Sequence, residues 1–363
     1  FFLVYFTAML DSIIVGYGLA GFHYAWQLKQ QKKDYLLITN QSMGSSRKAA
    51  GICNPTVLKR YTMAWEGEKF LEYAIKHYKE CGLQLSTNFF HSIPIHRYFF
   101  QAAEQNDWIV AAQKKGLSSF LDPLPSHLIN SNLKRKEGFG IVNSVGRLDI
   151  NTLLDIFQKH TIPSSFMEEE FEYESLKILK NKVFYKGIEA KNIVFCEGYR
   201  LKTNPWFQYL PLVGSKGESL EIIAPQLSRT QIIKGSLFIA PIKQDLFWVG
   251  ASFSSKDKET IPTPSGKEWL ISRLDNLLNV PYEIRAHHAA IRPTVIDRRP
   301  LIGQHPKYPN LFVFNGLGTR GVLMAPLLSK WLYEFIEEGK QIPNEVAIHR
   351  FESYFCNPNR KHV

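Results

Sequence analysis

The chain has little cysteine and no long apolar run, and each absence excludes a class of protein. Its 363 residues include four cysteines, at positions 53, 81, 196 and 356, and no two of them form a Cys-x-x-Cys pair. This spacing supports neither a disulfide framework nor a zinc site, and we expect no metal site and a reducing, cytoplasmic compartment. The apolar start, residues 1–10, is too short to span a bilayer and lacks a basic leader, so we predict no membrane span.

The remaining composition is that of a folded globular protein. Hydrophobic residues make up 45% of the chain and aromatic residues 13%. The 44 basic residues exceed the 33 acidic ones, and the net charge of +11 attracts anions such as phosphates, carboxylates or nucleic acid. A generally basic surface is an equally good interpretation. We expect the folded chain to begin at Met9, with residues 1–8 and 351–363 as tails.

A glycine motif near the start predicts a dinucleotide site. The run Gly16-Tyr17-Gly18-Leu19-Ala20-Gly21 directly follows the apolar residues Ile13–Val15, as in a strand that turns into a helix. In such a turn Gly16 permits the tight reversal, Gly18 lets the backbone approach the pyrophosphate, and Gly21 allows helix and strand to pack closely. The helix that follows presents free amides and a positive dipole end to the phosphates.

The acidic residue that usually accompanies this motif is missing. The second strand is predicted at Tyr35–Ile38, so the position that hydrogen-bonds the adenosine ribose falls on Thr39 or Asn40. Both side chains form hydrogen bonds without a charge. A neutral strand end followed by Arg47 and Lys48 is also compatible with the extra phosphate of NADP.

Patterning further along the chain predicts two interleaved domains. Apolar strands return at 181–198, and short strands separated by turn residues at 217–223, 235–241 and 245–251 indicate an antiparallel sheet. We predict an α/β fold in which a Rossmann-type nucleotide-binding domain is interleaved with an α+β substrate domain built on an antiparallel sheet. The predicted bounds are 9–87, 146–210 and 285–350 for the nucleotide-binding domain, and 88–145 and 211–284 for the substrate domain.

A second glycine loop near the end favours a flavin over NADP. The strand Leu311–Phe314 leads into a glycine-rich loop and then a helix, which supplies amides to another anionic part of the cofactor. A flavin needs such a helix start because negative charge develops at its N1 and C2 carbonyl on reduction, whereas NADP does not. The candidate cofactor-binding residues of this loop are Gly316, Gly318, Thr319, Arg320, Gly321 and Val322.

Together these motifs resemble the glycine/D-amino acid oxidase (DAO) superfamily of FAD-dependent oxidoreductases, from Met9 to about Glu338. The pieces that carry the resemblance are the first glycine turn, the loop Ser45–Gly51, the strand that ends at Gly198, the segment Arg292-Pro293 with Asp297, Pro300 and Gly303, and the run Gly316–Val322. The resemblance implies FAD as the cofactor. It also implies an enzyme of the amino acid oxidase type.

The resemblance further assigns cofactor contacts between the two glycine loops. In the superfamily the loop after the second strand follows the pyrophosphate and the flavin, which implies that Ser45, Ser46 and Gly51 contact FAD, together with Gly198. A role of Ser45 and Ser46 as helix caps is the structural alternative.

Arg292 and His288 are the candidate catalytic residues. The superfamily's arginine before proline binds a substrate carboxylate above the flavin, and Arg292 matches it. Its planar fork suits a carboxylate, although an ion pair with Asp297 or Glu283 is the structural alternative. On an alternating strand His288 shares a face with Arg292, and a packed or hydrogen-bonded histidine is its alternative role.

The resemblance implies oxidation of a carbon–nitrogen bond in a small amine or amino acid, by hydride transfer to flavin N5. We expect non-covalent FAD, because neither Cys53 nor Cys196 matches the superfamily's attachment positions. The segments Ser46–Gly51, Lys216–Glu218 and Gly318–Pro326 are also similar to the FAD module of an enzyme that trims carboxymethylaminomethyl-uridine in tRNA, which makes tRNA an alternative partner. A non-catalytic or electron-carrier flavoprotein is the third interpretation.

Overall fold

The computed structural model describes residues 9–40, 44–128, 130–134 and 137–356. The helices are α1 (Leu19–Gln30), α2 (Gly67–Gln84), α3 (Ala103–Ala112), α4 (Ile150–His160), α5 (Pro264–Asp275), α6 (Gly321–Glu338) and α7 (Glu352–Cys356). The strands are β1 (Leu10–Val15), β2 (Tyr35–Thr39), β3 (Ile52–Cys53), β4 (Thr56–Val57), β5 (Thr62–Met63), β6 (Phe90–Ser92), β7 (Ile95–Tyr98), β8 (Phe139–Val142), β9 (Gly146–Leu148), β10 (Phe166–Glu168), β11 (Leu176–Ile178), β12 (Val183–Tyr185), β13 (Ile188–Phe195), β14 (Ser215–Ile223), β15 (Ile232–Lys234), β16 (Phe238–Lys243), β17 (Leu246–Gly250), β18 (Glu283–Arg292), β19 (Leu301–Gln304) and β20 (Leu311–Asn315).

The chain forms two compact units, each from separate segments. Within the described residues, unit 1 consists of 9–47, 151–215 and 292–356, and unit 2 consists of 48–150 and 216–291. The predicted bounds assign residues 48–87 to the nucleotide-binding domain, whereas these residues pack in unit 2. The physical reason is the apolar face of α2, where the ring of Tyr78 stacks on Phe90 of β6 with centroids 5.8 Å apart.

Unit 1 is built on a sheet whose central strands are parallel. The strand order is β10-β2-β1-β13-β12-β11, with β20 beside β13 and β19 beside β20. Pairing is parallel between β10 and β2, β2 and β1, β1 and β13, and β13 and β20. Residues Ile13, Ile14 and Val15 of β1 are all buried, as expected for a parallel strand covered on both faces. The Rossmann-type fold predicted from the sequence is confirmed.

The order of these strands creates a site at one edge of the sheet. The chain runs from β1 to β2 on one side, and β13 then lies on the other side of β1, so the direction of winding reverses at β1. In open α/β sheets ligands bind at the carboxyl ends of the strands next to such a reversal. Parallel pairing therefore brings the ends of β1, β2, β13 and β20 to the same edge.

Unit 2 contains a seven-stranded sheet in the order β18-β14-β17-β16-β15-β7-β8. The registers of β14 with β17, β17 with β16, β16 with β15, and β7 with β8 are antiparallel, in agreement with the predicted sheet. The pair β15 and β7 is parallel instead, because the two strands come from different segments of the chain and no hairpin joins them. Leu270 and Leu274 of α5 pack on Leu220 and Ile222 of β14 and bury one face of this sheet.

A buried ion pair fixes the start of α5 to the sheet of unit 2. The Glu218 carboxylate accepts hydrogen bonds from the amide and the hydroxyl of Thr263, which caps α5, at 2.9 and 2.8 Å. Lys216 Nζ donates to Asp257 at 2.6 Å and to the carbonyl of Ile261 at 2.7 Å. Both ends of the Lys216–Glu218 motif are therefore used to hold α5 and the loop before it.

Among the described residues, no helix has the length and the apolar composition needed to cross a membrane.

We expect the substitution Gly51→Ala to destabilise unit 2 more than Gly116→Ala. Both glycines have positive φ, +79° and +85°, which costs alanine about 1 kcal/mol. A Cβ on Gly51 would lie 2.0 Å from the carbonyl oxygen of Leu148, whereas one on Gly116 would meet only Met63 at 3.6 Å. The clash at Gly51 adds roughly 1–3 kcal/mol of overpacking. Urea unfolding of both variants measures the difference, and equal midpoints would contradict the described backbone contact.

Candidate functional site

The loop between β1 and α1 has the geometry that its three glycines predict. Gly16 adopts φ +103°, and its amide donates to the carbonyl of Ile38 at 2.8 Å. A Cβ on Gly16 would lie 2.6 Å from the carbonyl oxygen of Cys196, and one on Gly21 would lie 1.9 Å from that of Gly16. Glycine is therefore required at both positions for α1 to begin this close to the sheet. Gly18 is extended, and its Cα faces the hydroxyl of Ser46.

The loop after β2 reaches back to the start of α1. Ser46 Oγ accepts a hydrogen bond from the amide of Leu19, the first residue of α1, at 3.1 Å. The proposed capping role thus exists, but the capped helix begins 27 residues earlier in the chain. Ser45 lies in the same turn and is partly buried. Both serines lie in unit 1 with the first glycine loop.

Thr39 and Asn40 lie at the carboxyl end of β2, where the acidic residue is missing. Thr39 Oγ1 donates to the carbonyl of Asn40 at 3.0 Å. The Cα register pairs Thr39 with Glu168 at the end of β10, so a carboxylate lies on the neighbouring strand. Sequence patterning missed Glu168 because its strand has only three residues and no motif marks it.

One amide side chain joins the ends of β13 and β20. Asn315 ends β20 and is 2% exposed; its Nδ2 donates to the carbonyl of Gly198 at 3.0 Å, and its Oδ1 accepts from the amide of Gly316 at 2.7 Å. This bridge fixes two predicted cofactor glycines relative to each other. No sequence motif marks Asn315, although a polar residue that ends the apolar strand at 311–314 is a usable signal.

The second glycine loop leads into α6, which begins beside α1. Gly316 and Gly318 have φ +71° and +55°, and nothing lies within 4 Å of a Cβ built on Gly318. A Cβ on Gly321 would lie 3.0 Å from the side chain of Leu19, so the first turns of the two helices are in contact. Thr319 is exposed and Val322 is buried. Two helix N-termini therefore meet at this edge of the sheet.

The electrostatics of this edge favour an anion. Neither α1 nor α6, both fully described, has an acidic residue in its first turn or a side-chain bond from its N-cap residue. The N-cap of α6 is Arg320, whose pKa is lowered by burial, and a cation at a helix N-terminus is unfavourable unless an anion is present. The nearby Glu197 carboxylate accepts from Tyr173 and Asn204, and burial raises its pKa. The donors present fit a dinucleotide pyrophosphate and an electron-rich ring system.

Arg292 is connected to the second glycine loop through its neighbour. It ends β18, and the carbonyl of Pro293 accepts a hydrogen bond from the amide of Gly318 at 3.1 Å. Burial lowers the pKa of Arg292. Of the two acids considered as its ion-pair partners, Asp297 binds Arg350 at 2.9 Å, and Glu283 lies at the opposite end of β18.

Two of the predicted site residues belong to unit 2 and have structural partners there. His288 Nε2 lies 3.3 Å from Glu221 Oε1, in agreement with the hydrogen-bonded alternative. Gly51 accepts a hydrogen bond from the amide of Leu148 at 2.9 Å. The remaining predicted residues, Gly16, Gly18, Gly21, Thr39, Asn40, Ser45, Ser46, Gly198, Arg292, Gly316, Gly318, Thr319, Arg320, Gly321 and Val322, belong to unit 1.

The two cysteines considered for covalent attachment are poor nucleophiles. Cys53 and Cys196 are buried, and desolvation raises the pKa of both thiols. A neutral thiol reacts slowly because the thiolate is the reactive form. Non-covalent attachment of the cofactor stays a prediction.

Comparison with protein families identifies the class of this protein. The family model DAO, described as FAD dependent oxidoreductase, matches residues 171–335. Residues 171–335 of the chain therefore match a FAD-dependent oxidoreductase domain of this family. This match supports the sequence-based prediction of an enzyme with FAD as its cofactor.

Individual relatives of this chain are distant. A tRNA 5-methylaminomethyl-2-thiouridine biosynthesis bifunctional protein MnmC from Marinobacter nauticus is 25% identical over 46% of this chain and 30% of its own length. Glycine oxidase of Bacillus subtilis is 21% identical over 94% of this chain and 96% of its own. The solved structure of glycine oxidase from Geobacillus kaustophilus matches with a TM-score of 0.78 at 18% identity, over 94% of this chain and 98% of that one.

The chain thus spans about a third of the bifunctional relative but nearly all of the two glycine oxidases. At these identities the structural match shows the shared fold.

We expect Gly21→Ala to weaken FAD binding at least tenfold, or about 1.4 kcal/mol. The new Cβ would lie 1.9 Å from the carbonyl of Gly16 and must push α1 away from the glycine loop. Gly187→Ala is the matched control, because Gly187 has φ +90° in the same unit and nothing lies within 4 Å of its Cβ position. Titration of apoprotein with FAD, followed by flavin fluorescence, measures both. Equal dissociation constants for the two variants would refute the packing role of Gly21.

Proposed function

We propose that this DAO-family enzyme oxidises the carbon–nitrogen bond of a small amine or amino acid that carries a carboxylate. The observation that carries the proposal is the hydrogen bond from the amide of Gly318 to the carbonyl of Pro293, at 3.1 Å. It attaches the Arg292 segment to the glycine loop that opens α6. A cation suited to a carboxylate is thereby held at the edge of the sheet where the cofactor loops end.

In this proposal the glycine loops of unit 1 bind and orient the cofactor. The amides at the start of α1, including that of Leu19, serve the pyrophosphate. The start of α6, with Arg320 as its N-cap, provides a positive potential where charge develops. When bound, FAD supplies the acceptor for the hydride that leaves the substrate carbon. The protein contributes orientation and electrostatic stabilisation, and a strong base is not required for an amine in its neutral form.

Arg292 binds and orients the substrate in this proposal. Its planar guanidinium grips a carboxylate through two charge-assisted hydrogen bonds, which fixes the carbon next to the amine in one position. Partial burial strengthens this interaction, since a lower local dielectric screens the charges less than bulk water does. Loss of one partner of a buried charge pair costs about 3 kcal/mol, or roughly a hundredfold in rate.

We expect Arg292→Met to lower kcat/KM for a carboxylated amine roughly a hundredfold. The measurement is the rate of flavin bleaching after anaerobic mixing with glycine, sarcosine and a panel of D-amino acids. Arg298→Met is the control, because Arg298 is exposed on the same segment. Unchanged kinetics in the Arg292 variant would remove the residue from the substrate site. A purified protein without a flavin spectrum, or one that no amine of the panel bleaches, would sink the proposed reaction.

A second candidate substrate is the carboxymethylaminomethyl group of a modified tRNA uridine. The match to the bifunctional tRNA-modifying relative over 46% of this chain favours it, as does the net charge of +11. The reaction is again oxidation of a secondary amine that carries a carboxylate, so Arg292 would serve the same role. The two candidate substrates differ in the molecule that carries the amine, because tRNA is a polyanion and an amino acid is a small molecule.

If tRNA is the substrate carrier, its affinity should fall steeply as salt rises from 50 to 200 mM. Each phosphate contact releases counterions, and six to ten contacts lower the affinity about 10³–10⁵-fold over this range. Filter binding or fluorescence anisotropy with unmodified tRNA provides the measurement. A flat salt dependence, or no binding at 50 mM, would leave the small amine as the substrate.

A further inference from the structure

A group of basic residues lies on the sheet of unit 2, outside the residues assigned to the cofactor. Lys234 of β15 and Arg97 of β7 are Cα partners in the parallel register of these strands. Side chains directly opposite each other on neighbouring strands point to the same face and lie close together. Lys59 lies in the exposed turn between β4 and β5, near enough for its charge to act on Lys234.

Arg97 and Lys234 occupy the face of the sheet that α5 does not cover. Tyr98 and Ile233, the sequence neighbours of Arg97 and Lys234, belong to the apolar cluster that packs against Leu270 of α5. Because successive side chains of a strand point to opposite faces, Arg97 and Lys234 project from the other face. There the ammonium of Lys234 lies 4.8 Å from the ring centre of Phe238, on the adjacent strand β16.

The group carries more positive than negative charge. Arg97 Nη2 donates to Glu104 Oε1 at 3.1 Å, and its Nη1 donates to the carbonyl of Tyr98. Glu104 is already engaged by this bond and by the amide of Phe100 at 2.6 Å. Lys234 Nζ donates to the carbonyl of Gly235 at 2.7 Å, and no carboxylate of a described residue lies within ion-pair distance of it. Lys234 and Arg97 thus share one carboxylate, that of Glu104.

The surroundings of Lys234 destabilise its positive charge. Burial lowers its pKa, and the charges of Arg97 and Lys59 lower it further, to about 8, against the opposing effect of Glu104. A partly buried ammonium next to two other cations is destabilised unless a negative group neutralises it. Packing alone does not require a charge at this position, because an apolar side chain fills the same space as the aliphatic part of lysine.

We propose that Lys234, Arg97 and Lys59 form a binding site for a phosphate group of a ligand. The guanidinium offers a fork of donors and the two ammonium groups offer point charges, a combination suited to the several oxygens of a phosphate. A phosphate monoester carries about 1.5–2 negative charges and several acceptor oxygens, more of each than a single carboxylate offers to the ammonium and the guanidinium.

Calorimetric titration of the FAD-saturated protein with inorganic phosphate, at ionic strength held constant with NaCl, tests the proposal. Saturating FAD fills the pyrophosphate site of unit 1, so the titration reports on unit 2. We expect one saturable phosphate site in the native protein and at least tenfold weaker binding in Lys234→Met. Lys243→Met, an exposed lysine of the same sheet on β16, removes an equal charge and is expected to bind phosphate normally. Lys234→Arg is expected to retain binding.

Outcomes that overturn the proposal are equal affinity in Lys234→Met and Lys243→Met, absence of saturable binding in the native protein, and binding of succinate as tight as that of phosphate. Retained flavin absorbance and an unchanged circular dichroism spectrum establish that each variant is folded and loaded with FAD, whatever its activity on amines. Two further arms distinguish the sources of the phosphate. Displacement by adenosine monophosphate alone assigns the site to a phosphate monoester, and displacement by an unstructured RNA oligonucleotide that lacks terminal phosphates assigns it to an RNA backbone.

Discussion

The candidate cofactor site depends on the parallel pairing of β1, β2, β13 and β20. Parallel strands end at the same edge of a sheet, so four loops that are far apart in the sequence converge there. Hydrogen bonds then fix these loops to one another: Ser46 binds the first amide of α1, Asn315 joins the ends of two strands, and Gly318 binds the carbonyl of Pro293. Each bond connects a cofactor loop to a segment that is distant in the chain.

Positive charge is concentrated at this edge of the sheet. Two helices begin side by side without acidic residues in their first turns, and one of them starts with an arginine. Repulsion between these groups is a cost that an anionic cofactor relieves. In unit 2 the positive charge comes from basic side chains, without a helix N-terminus. In both places we propose that the excess of positive charge serves to bind an anionic ligand.

Local patterns explain why some of the site was predictable. The strand, glycine turn and helix at Gly16–Gly21 follow from short-range sterics, because the positive φ of Gly16 and the close contact at Gly21 each exclude a side chain. The second glycine loop is predictable for the same reason. The Rossmann fold followed from these two loops and from the apolar strands between them.

Features that depend on tertiary packing were not predictable from the sequence. Residues 48–87 continue the alternation of strands and helices, and tertiary contacts such as the stacking of Tyr78 on Phe90 and the pairing of β3 with β9 place them in unit 2. The bridging role of Asn315 needs two strand ends to meet. Lys234 and Arg97 become neighbours through a parallel pairing between separate segments, and no hairpin motif in the sequence predicts such a pairing.

The division of unit 1 into three segments has a consequence for the synthesis of the protein. A ribosome completes β1 and β2 early, but the parallel partner of β13 on its far side, β20, comes only at Leu311–Asn315. Such long-range pairings form late because the intervening loop must close first. The edge where these loops converge is therefore assembled only after residues 311–315 have been synthesised. Until then the nascent chain has an incomplete parallel sheet with an unpaired apolar edge. Such an edge favours association with other chains.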